Sequence, residues 1–499
     1  MKQYIILLLL MPLFTLAQKI DSTQQESLYR PNFHFTPKAH WMNDPNGMFY
    51  YKNQYHLFYQ HHPYSSVWGP MHWGHATSKD LLHWTHQPIA IFPDAIGTIF
   101  SGSAVVDSLN TSGFGKPGQT PIVSIFTQHN MEGEKAGRKD FQTQSIAYSV
   151  DEGKTWSKYA NNPVIANPGI KDFRDPKVSW YAPLKKWILT LAVYDHIEFY
   201  SSPNLKQWVK ESQVGYDGMG VHDGNWECPD LFPMEVDGKQ HWVLLVSVNP
   251  GAPNKGSGTM YFVGDFDGHQ FTPYDRKEKW LDYGPDNYAG VTFSNTGKEK
   301  ILIGWMSNWN YAQEVPTTTW RSALTIPRNL SLIALKNNYY IESIPLIAKN
   351  AVSNIYNAPT MVLHNGDALS KIISHKGMPS RLQFSFDASK EMEWVLSNDK
   401  NEKIIIGYDP SVKQFYIDRT NAGNTSFNSR FPIKATAPRI SNSNTITIDL
   451  LFDKMSVELF ADGGLTVMSS IFFPTKTFSD MQWNAPQITL SDVKVQTIK

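Results

Sequence analysis

Three acidic residues stand in short segments whose composition is unusual for ordinary loops. Asp44 lies in Trp-Met-Asn-Asp-Pro-Asn-Gly, Asp175 in Phe-Arg-Asp-Pro and Glu227 in Trp-Glu-Cys-Pro-Asp. A proline keeps the aspartate before it out of the helical region, and Asn-Gly favours a tight turn. The sequence therefore predicts that Asp44 and Asp175 project from stiff loops.

The neighbours of these acids suggest what chemistry they could do. An always-charged arginine precedes Asp175, whereas a tryptophan and a cysteine flank Glu227, and apolar surroundings raise the pKa of a carboxyl by desolvation. One ionised and one protonated carboxyl group, about 5–5.5 Å apart in retaining enzymes, are what glycoside hydrolysis requires. For a single Asp-Pro, an ordinary turn-capping role is the better interpretation. Three such segments together favour a catalytic site.

Composition excludes several other classes of protein. The 499 residues carry 45 Lys and Arg against 45 Asp and Glu, so no overall charge favours nucleic acid or an anionic membrane. The only cysteine, Cys228, excludes an internal disulfide and any multi-cysteine zinc or iron–sulfur site. Aromatic residues make up 13% of the chain, which suits both β-sheet cores and sugar-binding pockets.

The first 17 residues have the pattern of a secretory signal peptide. Lys2 supplies the charge, residues 5–16 are apolar, and Thr-Leu-Ala precedes Gln18. No later apolar run reaches the roughly 18 residues that a membrane-spanning helix needs. We therefore expect an exported protein, periplasmic or secreted, without a membrane span.

The elements that must position the acids are almost all strands, and they repeat. Ser-Lys-Asp-Leu-Leu-His-Trp ends at Trp84, and similar turns precede Trp156, Trp208 and, in a degenerate form, Phe271. A polar turn followed by an aromatic residue is what a hairpin corner with a packing anchor needs. About 300 residues at roughly 60 per unit predict about five units, which indicates a β-propeller.

From about residue 350 the pattern changes to short alternating strands with tight polar turns, which is typical of an antiparallel β-sandwich. The predicted fold is all-β, with an N-terminal five-bladed propeller and a C-terminal sandwich. The predicted boundaries are residues 1–17 for the signal peptide, 30–336 for the propeller, 337–354 for a linker and 355–499 for the sandwich.

The segments around Asp44, Asp175 and Glu227 resemble, intact and in order, the signature blocks of glycoside hydrolase family 32, the invertases, inulinases and levanases that cleave β-fructofuranosides. The resemblance extends over most of the chain, including Trp-Gly-Pro-Met-His-Trp-Gly-His, Phe-Ser-Gly-Ser, Asp-Tyr-Gly-Pro-Asp and Gly-Trp-Met. It implies a five-bladed propeller with a funnel-shaped pocket on its axis.

The resemblance also implies roles for individual residues. Asp44 would be the nucleophile, Glu227 the general acid and base, and Asp175 the stabiliser of the transition state, oriented by Arg174. The other residues expected to bind substrate are Asn43, Gln60, Trp68, Phe100, Ser101, Trp305 and, as a weaker correspondence, Asp282 and Tyr283. The implied ligand is a carbohydrate, either a β-fructan or sucrose, and no metal or other cofactor is expected.

Several alternatives remain open at this point. The segments after Gly304 most resemble exo-acting inulinases and levanases, but an endo-levanase or an invertase of the same family is possible. A non-catalytic fructan-binding protein is an alternative of another class, although all three acidic positions are present. The histidines at 56–86 invite a metal site, but strand-like surroundings and the lack of a patterned carboxylate argue against one.

Overall fold

A computed structural model describes residues 22–216, 218–373 and 378–499. The predicted signal peptide lies outside the described residues. The described chain is almost entirely β-structure. Its helices are short: Ser22–Tyr29, Met131–Lys135 and Leu369–Ile372 are α-helical, and Ala182–Leu184, Lys349–Ala351 and Asp462–Gly464 are 3₁₀ turns.

Five antiparallel sheets, blades I to V, form the N-terminal part and confirm the predicted propeller. Blade I contains strands His40–Tyr51, Gln54–His62, His72–Ser78 and Trp84–Ile91. Blade II contains Thr98–Val106, Ile122–His129, Gln142–Ser149 and Ser157–Lys158, and blade III contains Phe173–Tyr181, Lys186–Val193, His196–Ser202 and Val209–Val214. Blade IV contains Asn225–Val236, Lys239–Asn249, Gly258–Phe266, Phe271–Pro273 and Lys279–Trp280, and blade V contains Tyr288–Thr292, Lys300–Met306, Ala323–Leu324, Arg328–Leu335 and Asn338–Pro345.

A further strand links the ends of the ring. Trp320–Arg321, from the chain segment that crosses blade V, pairs in parallel with residues 40–41 of blade I. The first strand of each blade packs against the first strands of the neighbouring blades, so these inner strands surround the propeller axis.

The repeated turns form the blade corners, and they are alike in atomic detail. In the turns before Trp84, Trp156 and Trp208, the indole N–H donates to the carbonyl oxygen three residues earlier, at 3.0, 3.1 and 3.1 Å. In each turn a serine hydroxyl also bonds to the Asp or Asn side chain two residues later. Each corner therefore fastens itself locally, which explains why the motif is visible in the sequence.

Two sheets pack face to face in the C-terminal part, as the prediction of a sandwich requires. One sheet contains Val352–Leu363, Arg381–Asp387, Thr445–Asp453, Ser456–Ala461, Thr466–Ile471 and Ile488–Ile498. The other contains Met392–Ser397, Lys403–Asp409, Gln414–Asn421, Lys434–Pro438 and Asp480–Trp483. Apolar side chains from the inner faces of both sheets, among them Trp394 and Trp483, form one buried core.

The connection between the two parts is shorter than the predicted linker 337–354. Asn338–Pro345 is a strand of blade V, and Val352–Leu363 already belongs to the sandwich. Only residues 346–351 connect the two parts. In the strand Asn338–Pro345, buried and more exposed residues alternate only from Ile341 to Pro345. So short a pattern cannot be distinguished from a linker in the sequence.

Buried charges join the propeller to the sandwich. The imidazole of His34 lies 2.9 Å from the carboxylates of both Asp453 and Glu458. Arg328 Nη1 lies 2.9 Å from Asp282, and Arg328 Nη2 lies 2.6 Å from Glu458. All five side chains are at most 1% exposed. We call these five residues the interface network.

Candidate active site

The inner strands of all five blades are irregular at the same level along the axis. The pairing register shifts between residues 42 and 45, 99 and 102, 174 and 177, 227 and 230, and 288 and 291. Such β-bulges re-aim side chains and often occur next to active sites. Asp44, Ser101, Asp175 and Cys228 lie within these shifts, so the predicted stiff loops are in fact bulges in strands.

Neighbouring blades hold these bulges in place. The amide N–H of Asp175 in blade III donates to Thr127 Oγ1 of blade II at 3.0 Å. The N–H of Cys228 in blade IV donates to Asp175 Oδ2 at 3.0 Å. The N–H of Ala289 in blade V donates to Ser247 Oγ of blade IV at 3.1 Å. Asp175, Cys228 and Ala289 all have positive φ angles of 65°, 46° and 53°, a conformation that these contacts stabilise.

The carboxylate of Asp44 is fixed by donors on both of its oxygens. Ser101 Oγ donates to Oδ2 at 2.8 Å, and Asn43 Nδ2 donates to Oδ1 at 3.0 Å. The indole of Trp41 donates to Asn43 Oδ1 at 2.7 Å and so orients that amide. The Cys228 thiol lies 3.6 Å from both Asp44 Oδ2 and Asp175 Oδ2, which brings the two aspartates together.

Glu227 faces polar groups rather than the apolar flanks that the sequence suggested. Arg174 Nε and Nη2 donate to Glu227 Oε1 at 3.1 and 3.0 Å, and the Tyr288 hydroxyl donates to Oε2. Residues next to Glu227 point elsewhere, because successive side chains of a strand alternate between its two faces. Trp226 is buried in the core of blades III and IV.

One guanidinium therefore serves a cavity that is lined by five carboxyl groups, those of Asp44, Glu134, Asp172, Asp175 and Glu227. Arg174 bonds to Glu227, lies 4.0 Å from Asp175 and also binds Asp172 at 2.5 Å. Burial raises the pKa of Asp44, and the charge of Glu227 adds to this rise. Burial raises the pKa of Asp175 to about 7, although Arg174 acts in the opposite direction. Both rises have the same physical cause, which is the burial of several carboxyl groups close together around a single guanidinium, and perturbed pKa values of this kind cluster at functional sites.

These groups line a cavity of about 250 Å³. Nine of the twelve predicted site residues line it: Asn43, Asp44, Gln60, Trp68, Phe100, Ser101, Arg174, Asp175 and Glu227. The flat faces of Trp68 and Phe100 and the polar groups at its base make it suitable for a sugar.

The other three predicted residues do not line this cavity. Asp282 is 2% exposed and belongs to the interface network, and Tyr283 packs against the sandwich core. Trp305 is fully buried beside Trp309, with ring centroids 4.9 Å apart, and Trp309 lines the cavity instead. For Asp282, Tyr283 and Trp305 the predicted contact with substrate is therefore not supported by the geometry.

Several residues of the site were missed by the sequence reasoning. Tyr288 bonds to Glu227, and the cavity lining also includes His129, Glu134, Gln142, Asp172 and Trp309. Asp172 is two residues from Arg174, so its proximity to the Arg-Asp-Pro segment could have identified it. The others lie far from the three acidic segments in sequence, and only the closed ring brings them there.

A larger cavity, of about 410 Å³, lies at the opposite ends of the inner strands. Its one carboxylate, Asp230, is already paired with Lys177 at 3.2 Å and accepts hydrogen bonds from Thr292. Paired carboxylates open to a ligand occur in the smaller cavity, so the chemistry and not the volume identifies the candidate site.

The histidines at 56–86 do not form a metal site in the part of the chain that the structure describes. Within residues 22–216, 218–373 and 378–499, no group of three His, Cys, Asp or Glu side chains could hold a metal ion. His56 and His75 instead stack on Phe49 and Phe58, and burial lowers the pKa of His56 to about 4 and that of His75 to about 3. Both rings are neutral packing residues.

A five-bladed propeller with clustered carboxyl groups at an axial, aromatic-lined cavity has the groups that a glycosidase needs. Two family models agree with this class: the glycosyl hydrolases family 32 N-terminal domain matches residues 34–343, and the family 32 C-terminal domain matches residues 351–497. The chain belongs to glycosyl hydrolases family 32.

Similar proteins cover nearly the whole chain. It is 44% identical to a levanase of Bacillus subtilis, over 97% of this chain and 71% of the relative. It is 38% identical to an extracellular exo-inulinase of Aspergillus niger, over 90% of each chain. The crystal structure of an exo-inulinase from Aspergillus awamori superposes with a TM-score of 0.86 at 33% identity, over 94% of this chain and 98% of that one.

A β-fructofuranosidase from Schwanniomyces occidentalis, solved with fructosyl-erythritol, superposes with a TM-score of 0.81 at 33% identity, over 95% of this chain and 99% of that one. The predicted class of enzyme, a glycosidase of this family, is confirmed. Among the described residues, none of the helices has the length and apolar character needed to cross a bilayer.

Proposed function

We propose that this protein is a retaining β-fructofuranosidase that releases fructose from the ends of fructans and also cleaves sucrose. The named activities of its relatives, a levanase and exo-inulinases, support this substrate class. The observation that carries the proposal is that Asp44, Asp175 and Glu227 all line one small cavity.

In the first step, a carboxylate oxygen of Asp44 forms a bond to the anomeric carbon of a terminal fructosyl unit. The bond from that carbon to the leaving oxygen breaks, and Glu227 gives its proton to this oxygen. Ser101 and Asn43 hold the Asp44 carboxylate at a fixed angle for this attack. Arg174 and Tyr288 fix the position of Glu227 in the same way.

In the second step, Glu227 takes a proton from water as the water oxygen attacks the anomeric carbon. The ester bond to Asp44 breaks, fructose is released, and both carboxyl groups return to their starting states. The anomeric carbon is inverted twice, so the configuration is retained.

Asp175 is suited to bind sugar hydroxyls as positive charge develops on the ring. Its Oδ2 is held by the Cys228 amide, while its Oδ1 accepts no hydrogen bond from the residues that the structure describes. A carboxylate with one anchored and one open oxygen can accept a sugar hydroxyl without moving. Hydrogen bonds that strengthen in the transition state lower the barrier.

The cavity is small, which favours binding of one terminal unit over an internal segment of polymer. We infer exo action from this size and from the exo-inulinases among the relatives. Because those relatives are named as extracellular enzymes, we also infer that this protein is exported, in agreement with the signal-like residues 1–17.

A product time course on levan, inulin and sucrose tests these proposals. We expect fructose to be the first and main product from levan and inulin, and equal amounts of glucose and fructose from sucrose. Early appearance of oligosaccharides would show endo action. No release of fructose from any of the three would contradict hydrolysis and favour a fructan-binding protein.

A further inference from the structure

The larger cavity, at the opposite ends of the inner strands from the active site, is separate from the active-site cavity. On the blade III strand, Asp175 lines the active-site cavity and Lys177 lines the larger one. On the blade IV strand, Glu227 and Asp230 divide in the same way. The space between the two cavities measures only about 10 Å³, which is too little for a sugar. We call the larger one the lower cavity, and a ligand in it would not reach the active-site carboxyl groups.

The lower cavity contains a buried carboxylate with one oxygen free for a ligand. The Asp230 side chain is 2% exposed, and its Oδ2 accepts hydrogen bonds of 2.7 Å from both the backbone N–H and the hydroxyl of Thr292. Lys177 Nζ lies 3.2 Å from the same oxygen. Oδ1 accepts no hydrogen bond from the residues that the structure describes, and it is not fully enclosed. A ligand in the lower cavity can therefore donate to Asp230 Oδ1.

A lysine ammonium at the lower cavity also has few partners. The acceptor within hydrogen-bond distance of Lys300 Nζ in the described part of the chain is the Gly297 carbonyl oxygen, at the long distance of 3.5 Å. No carboxylate oxygen among the described residues lies within 4.0 Å of this nitrogen. Because an ammonium group has three N–H donors, at least two of them remain for a ligand.

Aromatic rings form much of the wall around these polar groups. The rings that line the lower cavity are those of Trp180, Trp187, Phe232, Trp242 and Phe293. The rings of Trp180 and Trp187 have centroids 5.0 Å apart and an angle of 65° between their planes. The indole N–H of Trp187 already donates a hydrogen bond, whereas that of Trp180 makes none with the described residues. Trp180 thus offers both a flat apolar face and a further donor.

These groups together favour a neutral ligand that carries several hydroxyl groups. The free oxygen of Asp230 repels an anion, and the ammonium of Lys300 repels a cation. A hydroxyl group, in contrast, can donate to a carboxylate oxygen and accept from an ammonium group. Indole faces pack against the apolar faces of flat rings such as those of sugars. The volume of about 410 Å³ lies within the range of small-molecule sites.

We propose that the lower cavity is a second, non-catalytic binding site for a neutral sugar of the size of a mono- or disaccharide. The hydroxyls of the sugar donate to Asp230 Oδ1 and accept from Lys300 Nζ, while its ring packs against Trp180. The inference goes beyond the proposed function, because the active-site cavity carries out hydrolysis without it.

Hydrogen–deuterium exchange measured by mass spectrometry tests the proposal on the full-length Asp44→Asn protein, which does not hydrolyse the sucrose used as the probe. The backbone amides of residues 293–297, which line the lower cavity, should exchange more slowly as the sucrose concentration rises. Sucrose also acts as an excluded osmolyte that stabilises the whole protein. The measured quantity is therefore the slowing at residues 293–297 beyond the slowing in the rest of the chain.

Two further substitutions in the Asp44→Asn protein remove the proposed contacts one at a time. Lys300→Met keeps the apolar stem and removes the ammonium, so the sucrose concentration for half-maximal slowing at residues 293–297 should rise about tenfold. Trp180→Leu removes the aromatic face and should raise this concentration about fivefold. Lys298→Met is the matched control, because the Lys298 side chain is 97% exposed and does not line the lower cavity. The control should not change this concentration.

The proposal is overturned if residues 293–297 slow no more than the rest of the chain, or if Lys300→Met and Lys298→Met give the same concentration. Slowing by inorganic phosphate and not by sucrose would assign the lower cavity to an anion and would also overturn it. If Lys300→Met exchanges rapidly throughout the chain because it does not fold, Trp180→Leu decides by the same criterion. Specific slowing at residues 293–297, in a protein whose unmodified form releases no fructose from any fructan or from sucrose, would contradict the proposed function and support this inference.

Discussion

Two of the buried clusters of charged side chains in the described part of the chain, the interface network and the active-site cavity, are built in opposite ways. In the interface network, Arg328 and His34 alternate with the three carboxylates, and each carboxylate receives charge-assisted hydrogen bonds. In the cavity, Arg174 is the only permanently charged cation among the described lining residues, against the five carboxyl groups of Asp44, Glu134, Asp172, Asp175 and Glu227, so the charges are unequal.

The pKa values follow this difference. At the interface, burial alone would lower the pKa of His34, but hydrogen bonds to Asp453 and Glu458 raise it to about 9. Burial likewise opposes ionisation of Asp453 and Glu458, yet their partners lower both pKa values. In the cavity, burial prevails and raises the pKa of Asp44 and Asp175. The paired charges of the interface network thus connect the propeller to the sandwich, whereas the carboxyl groups of the cavity have too few cations to pair with and can interact with a ligand.

The largest expected effect tests whether the carboxyl groups of the cavity carry out the hydrolysis. Asp44→Asn removes the group that attacks the anomeric carbon, and we expect kcat for sucrose to fall by roughly 10⁴-fold or more. The melting temperature should not fall, because the amide keeps the size of the carboxylate and carries no charge. Substantial remaining turnover in a variant of full purity would exclude Asp44 as the nucleophile.

Substitutions in the interface network should lower the stability of the protein and not the rate of hydrolysis. Arg328→Met leaves Asp282 and Glu458 buried without their cation, and we expect the free energy of unfolding to fall by about 3–5 kcal/mol. Denaturant unfolding measures this loss. Arg138→Gln is the control, because Arg138 pairs with Asp140 on the exposed surface and should change nothing measurable. Similar results for both variants would mean that the interface network does not stabilise the fold.

Asp175→Asn should stabilise the protein, in contrast to the interface. The folded pKa of Asp175, about 7, is above its unfolded value of 3.8, so its contribution to stability is present below about pH 4 and lost as the pH rises through 7. The amide mimics the neutral form. At pH 8 we expect a melting temperature a few degrees above that of the unmodified protein, and at pH 4 no difference. A melting temperature of the Asp175→Asn variant below that of the unmodified protein at pH 8 would contradict the view that the ionised Asp175 carboxylate destabilises the fold.

The smallest effect is confined to one pH window. The pKa of His34 is raised from 6.5 to about 9, so its contribution to stability is full below pH 6.5 and lost as the pH rises through 9. His34→Gln should remove this decline, so denaturation midpoints measured between pH 6 and 10 should vary less than in the unmodified protein. An unchanged slope would indicate that the imidazole is neutral in the folded state.

Local chemistry explains which parts of the fold were visible in the sequence. The corner turns before Trp84, Trp156 and Trp208 are made by residues within seven positions of one another, so their pattern can be recognised in the sequence. The signature segments were visible for a similar reason: the residues that fix Asp44, such as Asn43, are its neighbours.

What the sequence did not reveal depends on contacts between distant segments. Tyr288 reaches Glu227 across 61 positions, and Thr127 reaches the amide of Asp175 across 48 positions. Asp282, predicted as a substrate contact, lies in the interface network instead of lining the cavity, and an acidic segment has the same sequence pattern whether its partner is a sugar or an arginine. Its actual partner, Arg328, is 46 positions away in a strand without a distinctive pattern.

The bulge contacts that pass from blade to blade have a consequence for the architecture as a whole. Thr127 supports the bulge at Asp175, Asp175 supports that at Cys228, and Ser247 supports that at Ala289. Each of these hydrogen bonds requires a particular angle between adjacent blades, and this angle depends on the number of blades in the ring. A variant with one unit duplicated or deleted would fold into a ring of different curvature and lose these contacts. The arrangement of the catalytic bulges therefore depends on a ring of five blades.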